Sequence, residues 1–180
     1  MKIVTLAFAT FFAAFAALGA AQAQTLAGEL KANPATAETR DYMSKAAMGD
    51  LFEIQSSRLA LQRANSQEVK DFADMMVKDH MQATKKLEAA AQEQKITISP
   101  PSKLDADHQR TLDQLTKAEG GSFERAYIQA QLQAHQKALD MHRDYAKSGD
   151  NPQLKQVAGE IPKVVAQHLE RVKAISGGMK

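Results

Sequence analysis

Apolar residues recur at every third or fourth position through four long stretches of this chain, and that period commits it to α-helices. The first stretch runs from about Thr36 to Ala64, with Tyr42, Ala46, Gly49, Glu53, Ser56 and Ala60 on one face. Thr36 can cap it, and Glu38 in the first turn suits the positive end of the helix dipole. The second runs from the N-cap candidate Ser66 to about Gln94, with the stripe Val69, Phe72, Met76, His80, Thr84 and Leu87. Pro100-Pro101 forbids helix, so the segment from Ile96 to Pro101 is expected to be an extended loop. Ser102 with Asp105 three residues on resembles a capping box, which predicts a short helix to about Lys117 ended by Gly120-Gly121. Ser122 is then expected to cap a third long helix, from about Phe123 to Lys147. Gly149, Asn151 and Pro152 read as a stop, an N-cap and a first helical residue. The fourth long helix runs to about Ile175 with the stripe Leu154, Ile161, Val165, His168 and Val172. Pro162 falls inside it and predicts a kink or a break, and the tail from Ser176 to Lys180 is expected to fray.

The connections suggest a topology. The turns around Asn65 and Gly149 are tight, so each joins an antiparallel pair. Between the pairs lie the proline loop and the short helix, which covers about 20 Å at 1.5 Å per residue. That length carries the chain back along the bundle. The expected fold is therefore all-α: a ferritin-like four-helix bundle, up-down-down-up, with a long crossover containing one short extra helix.

Ahead of the bundle stands a targeting segment. Lys2 precedes an uncharged apolar run from Ile3 to about Ala20, and Ala21-Gln22-Ala23 fits a small-x-small cleavage site. The expected organisation is a signal peptide over residues 1–23, a flexible segment over 24–35 and the bundle over 36–176. A periplasmic location follows, with secretion as the alternative. The chain has no cysteine, so disulfides, thiolate metal sites and cysteine nucleophiles are excluded. Its 23 Lys and Arg nearly balance 21 Asp and Glu and are interspersed with them, which argues against a nucleic-acid partner. No transmembrane run is expected after the leader.

Chemistry concentrates in the core stripes. His80 and His168 lie on apolar faces, and His135 lies at the edge of one. His108 and His142 read as peripheral. Counted from the helix ends, Glu53 and His80 fall about 18 Å and 22 Å below the first turn and His135 about 20 Å below it, with His168 within about a turn. One cross-section of the bundle should then hold all four. Buried imidazoles paired with a carboxylate can serve as a structural layer that fixes helix register. The same set, three imidazoles and one carboxylate, suits a transition metal such as zinc, iron or copper. Met76, one turn before His80, would suit copper. A pH-sensitive bundle is a third reading. Di-iron chemistry lacks support, because Val77, Leu132 and Val165 stand where a Glu-x-x-His motif needs carboxylates. Asp79 reads as a surface residue and not as a partner of its neighbour His80.

Several stretches carry a family resemblance: Gly49-Asp50-Leu51-Phe52-Glu53-Ile54, Val69-Lys70-Asp71-Phe72-Ala73 with Met76-Val77-Lys78-Asp79-His80, Phe123-Glu124-Arg125-Ala126-Tyr127 with His135, and Ile161-Pro162 with His168-Leu169. In order and spacing the chain resembles the exported bacterial ferritin-like proteins of domain of unknown function 4142, over about residues 38 to 175. The resemblance implies a helical bundle in the cell envelope. It also implies that Glu53, His80, His135 and His168 occupy the family's polar motif positions. It implies no activity. The expected function is thus a non-enzymatic envelope or stress-associated protein with a structural His/Glu layer, the alternative being a metal-binding bundle using the same residues. An oxidase or hydrolase rests only on the compartment and the histidine count.

Overall fold

The structure is a computed structural model, and it describes residues 35–97 and 99–179. The leader and most of the segment after it lie outside the described residues. Five helices follow one another: α1 Ala37–Arg63, α2 Gln67–Glu93, α3 Ala106–Lys117, α4 Gly120–Ser148 and α5 Pro152–Gly178. No strand occurs among the described residues, and no described helix is long and apolar enough to cross a membrane.

Helix starts are set by short polar side chains. Thr36 accepts from the Thr39 amide at 3.1 Å, Ser66 from Val69 at 3.4 Å and Asn151 from Leu154 at 3.0 Å. Each satisfies an amide that the first turn leaves without a partner. Two expected starts differ. The short helix is capped by Asp105, which accepts from the amides of Asp107 and His108 at 3.1 and 2.9 Å. A carboxylate serves there where Ser102 was expected to. Gly120-Gly121 does not end a helix but opens α4. Gly120 takes φ +52°, a left-handed value that glycine adopts freely. Ser122 sits inside the first turn, where its hydroxyl accepts from the Glu119 amide at 3.2 Å.

In the fourth long helix the break, one of the two expected outcomes at Pro162, does not occur. Pro162 removes one backbone donor, yet α5 is a single element through it and continues to Gly178. Ala158, Ile161 and Val165 around the proline are all buried. Packing on both sides of the missing bond holds the helix together.

The crossover topology is visible in particular contacts. Glu124, in the first turns of α4, accepts from the amides of Asn65 and Ser66 at 2.6 and 2.8 Å. So α4 starts at the end where α2 starts. Arg63, closing α1, donates to the carbonyls of Thr116 and Ala118 at 2.5 and 2.6 Å and stacks over Phe123 at 5.2 Å. Its guanidinium caps the last turn of α3. At the opposite end, the Thr39 hydroxyl donates to Asp150 at 2.7 Å and lies 2.7 Å from the Tyr145 hydroxyl. In cross-section α1 packs on α2 and α4, α5 packs on α2 and α4, and α3 rests on α1 and α4. The order is up-down-down-up. The apolar core runs from Phe72, Phe123 and Tyr127 to Tyr42, Leu154 and Val165.

Candidate functional site

The interior layer between those ends is polar. Each long helix contributes to it because its stripe carries polar residues at that height, two from α1 and one from each of the others. From α1, Asp50 and Glu53 project together, three residues apart. From α2 comes His80, from α4 His135 and from α5 His168. All are buried, Glu53 at 2 % exposure and His135 at 0 %. Ring centroids are 5.7 Å apart for His80 and His135, 5.8 Å for His80 and His168, and 5.3 Å for His135 and His168. One nitrogen from each of the three rings lies within 4.8 Å of the others.

Each imidazole is held by its outer nitrogen. His80 Nδ1 pairs with Asp50 Oδ1 at 2.8 Å, and the other oxygen of Asp50 accepts from Thr84 at 2.8 Å. His135 Nδ1 donates to the Gln131 carbonyl one turn back at 2.8 Å. His168 Nε2 donates to Asp79 Oδ2 at 2.9 Å. In a neutral ring such a bond fixes the tautomer and leaves the second nitrogen with its lone pair. Those second nitrogens, His80 Nε2, His135 Nε2 and His168 Nδ1, have no hydrogen-bond partner, nor does either oxygen of Glu53. Glu53 Oε2 lies against His80 Nε2, and Oε1 is 3.1 Å from His135 Nδ1. These approaches are close but not aligned as hydrogen bonds. Buried polar atoms are nearly always partnered, so this many orphans in one layer are a property of the site.

The electrostatics follow from the crowding. Burial alone would raise the Glu53 carboxyl, but the imidazoles of His80, His135 and His168 outweigh it and lower it to about 2. Burial disfavours a charged His80, but Glu53 and Asp50 prevail and raise it to about 10. At His168 burial wins over Asp79 and the shift is downward. The layer therefore holds the His80 ring as an imidazolium between the Glu53 and Asp50 carboxylates, with the His168 ring beside it kept toward its neutral form.

A second polar layer backs the first. Gln131 donates through Nε2 to Ser56 Oγ at 3.1 Å, and Ser57 bonds the Tyr127 hydroxyl at 2.8 Å. On the other side the layer opens on a cavity of about 950 Å³ that Glu53, His80 and His168 line and His135 does not.

The structure thus brings Glu53, His80, His135 and His168 into one cross-section. It places other residues differently from expectation. Asp79 is no mere surface residue: it is the acceptor for His168 across two helices. His142 is buried, not peripheral, and its Nδ1 lies 3.0 Å from the Tyr42 hydroxyl. His108 stays at the periphery, bonded to Asp105. A Cβ at Gly49 would meet nothing within 4 Å. Met76 is fully buried in the apolar core. Asp50 was missed, although its spacing of four from Ala46 and three from Glu53 puts it on the same face.

Solved structures share this fold. One is a DUF305 fragment from Deinococcus radiodurans, with TM-score 0.69 and 15 % identity over 80 % of this chain and 98 % of that one. Another is CopM in its Cu(II)-bound form, with TM-score 0.67 and 19 % identity over 78 % and 97 %. A third is a DUF305 protein from Streptomyces coelicolor, with TM-score 0.64 and 12 % identity over 78 % and 91 %. At such identities the likeness is one of fold. No curated protein sequence matches the chain. The resemblance seen in the motif stretches is matched along nearly all of the bundle, and the chain belongs to the family described as Domain of unknown function (DUF4142), over residues 22–175.

Proposed function

We propose that this protein is an exported helical bundle that binds a transition-metal ion through His80 Nε2, His135 Nε2, His168 Nδ1 and the Glu53 carboxylate. The observation that carries the reading is the division of labour on each ring. One nitrogen of each ring is spent on a carboxylate or carbonyl, the other has no hydrogen-bond partner, and one nitrogen from each ring lies within 4.8 Å of the others. Metal-ligating histidines are oriented in this way. Three imidazoles and a carboxylate suit zinc, copper or iron. With metal–nitrogen bonds of about 2.0–2.1 Å, tetrahedral donors stand about 3.3 Å apart, so small ring rotations from the present separations suffice. The bound ion would supply charge compensation for Glu53 and tie four helices together. Of the fold neighbours, CopM is known in copper-bound and silver-bound forms. The uncharged apolar run after Lys2 supports export to the envelope.

A second reading is favoured by one observation. Glu53 and Asp50 flank His80 and raise it to about 10, so an imidazolium between two carboxylates could by itself serve as a structural layer. Elemental analysis of untagged protein, with melting curves in added Zn²⁺, Cu²⁺ and Fe²⁺, separates the two. An ion at 100 times its dissociation constant stabilises by about 2.7 kcal/mol. Sub-stoichiometric metal with unmoved melting curves would leave only the structural layer.

A further inference from the structure

The cavity beside the histidine layer has a character of its own. It extends from that layer toward the α4–α5 turn, between the long helices. At about 950 Å³ it is far larger than a bare ion needs and lies within the range of pockets for drug-sized molecules. Small side chains on facing helices make the room. Gly49 and Ala46 come from α1, and Ala134 and Ala138 from α4; Ile161 and Val165 of α5 add an apolar wall. Tyr42 and Tyr145 also line it, stacked on each other with centroids 3.8 Å apart.

Its charge is one-sided. Eight carboxylates line the cavity against three lysines, in a chain whose 23 Lys and Arg exceed its 21 Asp and Glu. Charge alone would be a solvated face. Here Glu53, nearly fully buried, lines the inner end with both carboxylate oxygens unpartnered. Apolar walls, paired aromatic rings and an excess of carboxylates that includes the buried Glu53 together favour an organic cation. Aromatic faces attract ammonium groups, and a low-dielectric pocket strengthens the pull of each carboxylate.

We propose that the cavity is a binding site for a small organic cation with an apolar or aromatic body, such as an arylalkyl amine. This inference goes beyond the metal reading; the two share Glu53, but the rim carboxylates and the tyrosine pair are separate from the histidine nitrogens.

The test is a calorimetric titration of the mature protein in excess EDTA with two probes of similar size, 1-naphthylmethylamine as its cation and 1-naphthylacetate. The amine is expected to bind at least about tenfold more tightly than the carboxylate. Gly49→Leu provides the control, since its side chain would grow from a helix face into open space and replaces a poor helix former. It should weaken the amine by about tenfold or more with unchanged circular dichroism. Should Gly49→Leu lose helicity, Ala138→Leu on the facing wall is read in its place. Equal binding of the two probes, no binding of the amine, or undiminished binding in the well-folded filled variant would overturn the proposal. A protein that takes the amine but retains no metal sinks only the metal reading, and the converse sinks only this one.

Discussion

His168 of α5 donates its outer nitrogen to Asp79 of α2 at 2.9 Å, across 89 residues of chain. The carboxylate engages Nε2 and leaves the buried Nδ1 without a hydrogen-bond partner. Asp79→Ala should therefore leave the helices intact and weaken metal binding by about 10- to 100-fold. Competition against a chromophoric chelator measures this. An affinity equal to that of the parent would mean that the ring is aimed by packing alone.

Glu53 faces three imidazoles and has no aligned partner. Glu53→Ala removes one of the two carboxylates that hold the buried His80 ring and leaves it with Asp50 alone. The metal-free variant should lose about 1–3 kcal/mol of folding stability. Urea denaturation in EDTA reads the loss. A midpoint unchanged by the substitution would contradict the buried placement of this side chain.

Acid should loosen the bundle through His142. Burial lowers this group to about 4, so below the ordinary histidine range the unfolded chain gains a proton that the folded chain refuses. Stability then falls as pH drops from about 6.5 to about 4, by up to about 1.4 kcal/mol per unit. His168 shifts in the same direction. His80 is raised to about 10, and its contribution is present below about 6.5 and is lost as pH rises through about 10. Comparing the parent with His142→Gln isolates one group. The variant should lose less stability between pH 7 and pH 5, and parallel curves would assign the acid sensitivity elsewhere.

Arg63 joins three elements through one guanidinium, bonding the last carbonyls of α3 and covering Phe123 of α4. Arg63→Ala should cost about 1–2 kcal/mol, and amide exchange should rise first in α3. Arg63→Lys should recover little of it, because an ammonium lacks the planar fork that reaches two carbonyls while stacking on a ring.

The long helices and their order were legible because period, caps and breakers agree along each stretch. Thr36, Ser66 and Asn151 cap where their side chains suggest. Ser102 misled because Asp105, a stronger acceptor for amides, stood three residues downstream, and Gly120-Gly121 misled because glycine pairs read as stops. The height of Glu53 and the histidines could be counted from residue numbers, since helices have a constant rise. What holds each ring could not. The bonds from Asp50 to His80 and from Asp79 to His168 cross 30 and 89 residues, and no local pattern records which helices meet at that angle. The burial of His142 was legible but overlooked: it lies seven residues after His135, where two turns of helix bring it back nearly to the same face.

The two fastenings at opposite ends of the bundle have a mechanical consequence. Glu124 stitches α4 to the α1–α2 turn, and Thr39 joins α1 to Asp150 at the far end. A rod pinned at both tips cannot swing open like a book. Separation of the helices is left to bowing of the staves, so the widest thermal excursions belong at mid-length and the tips stay shut.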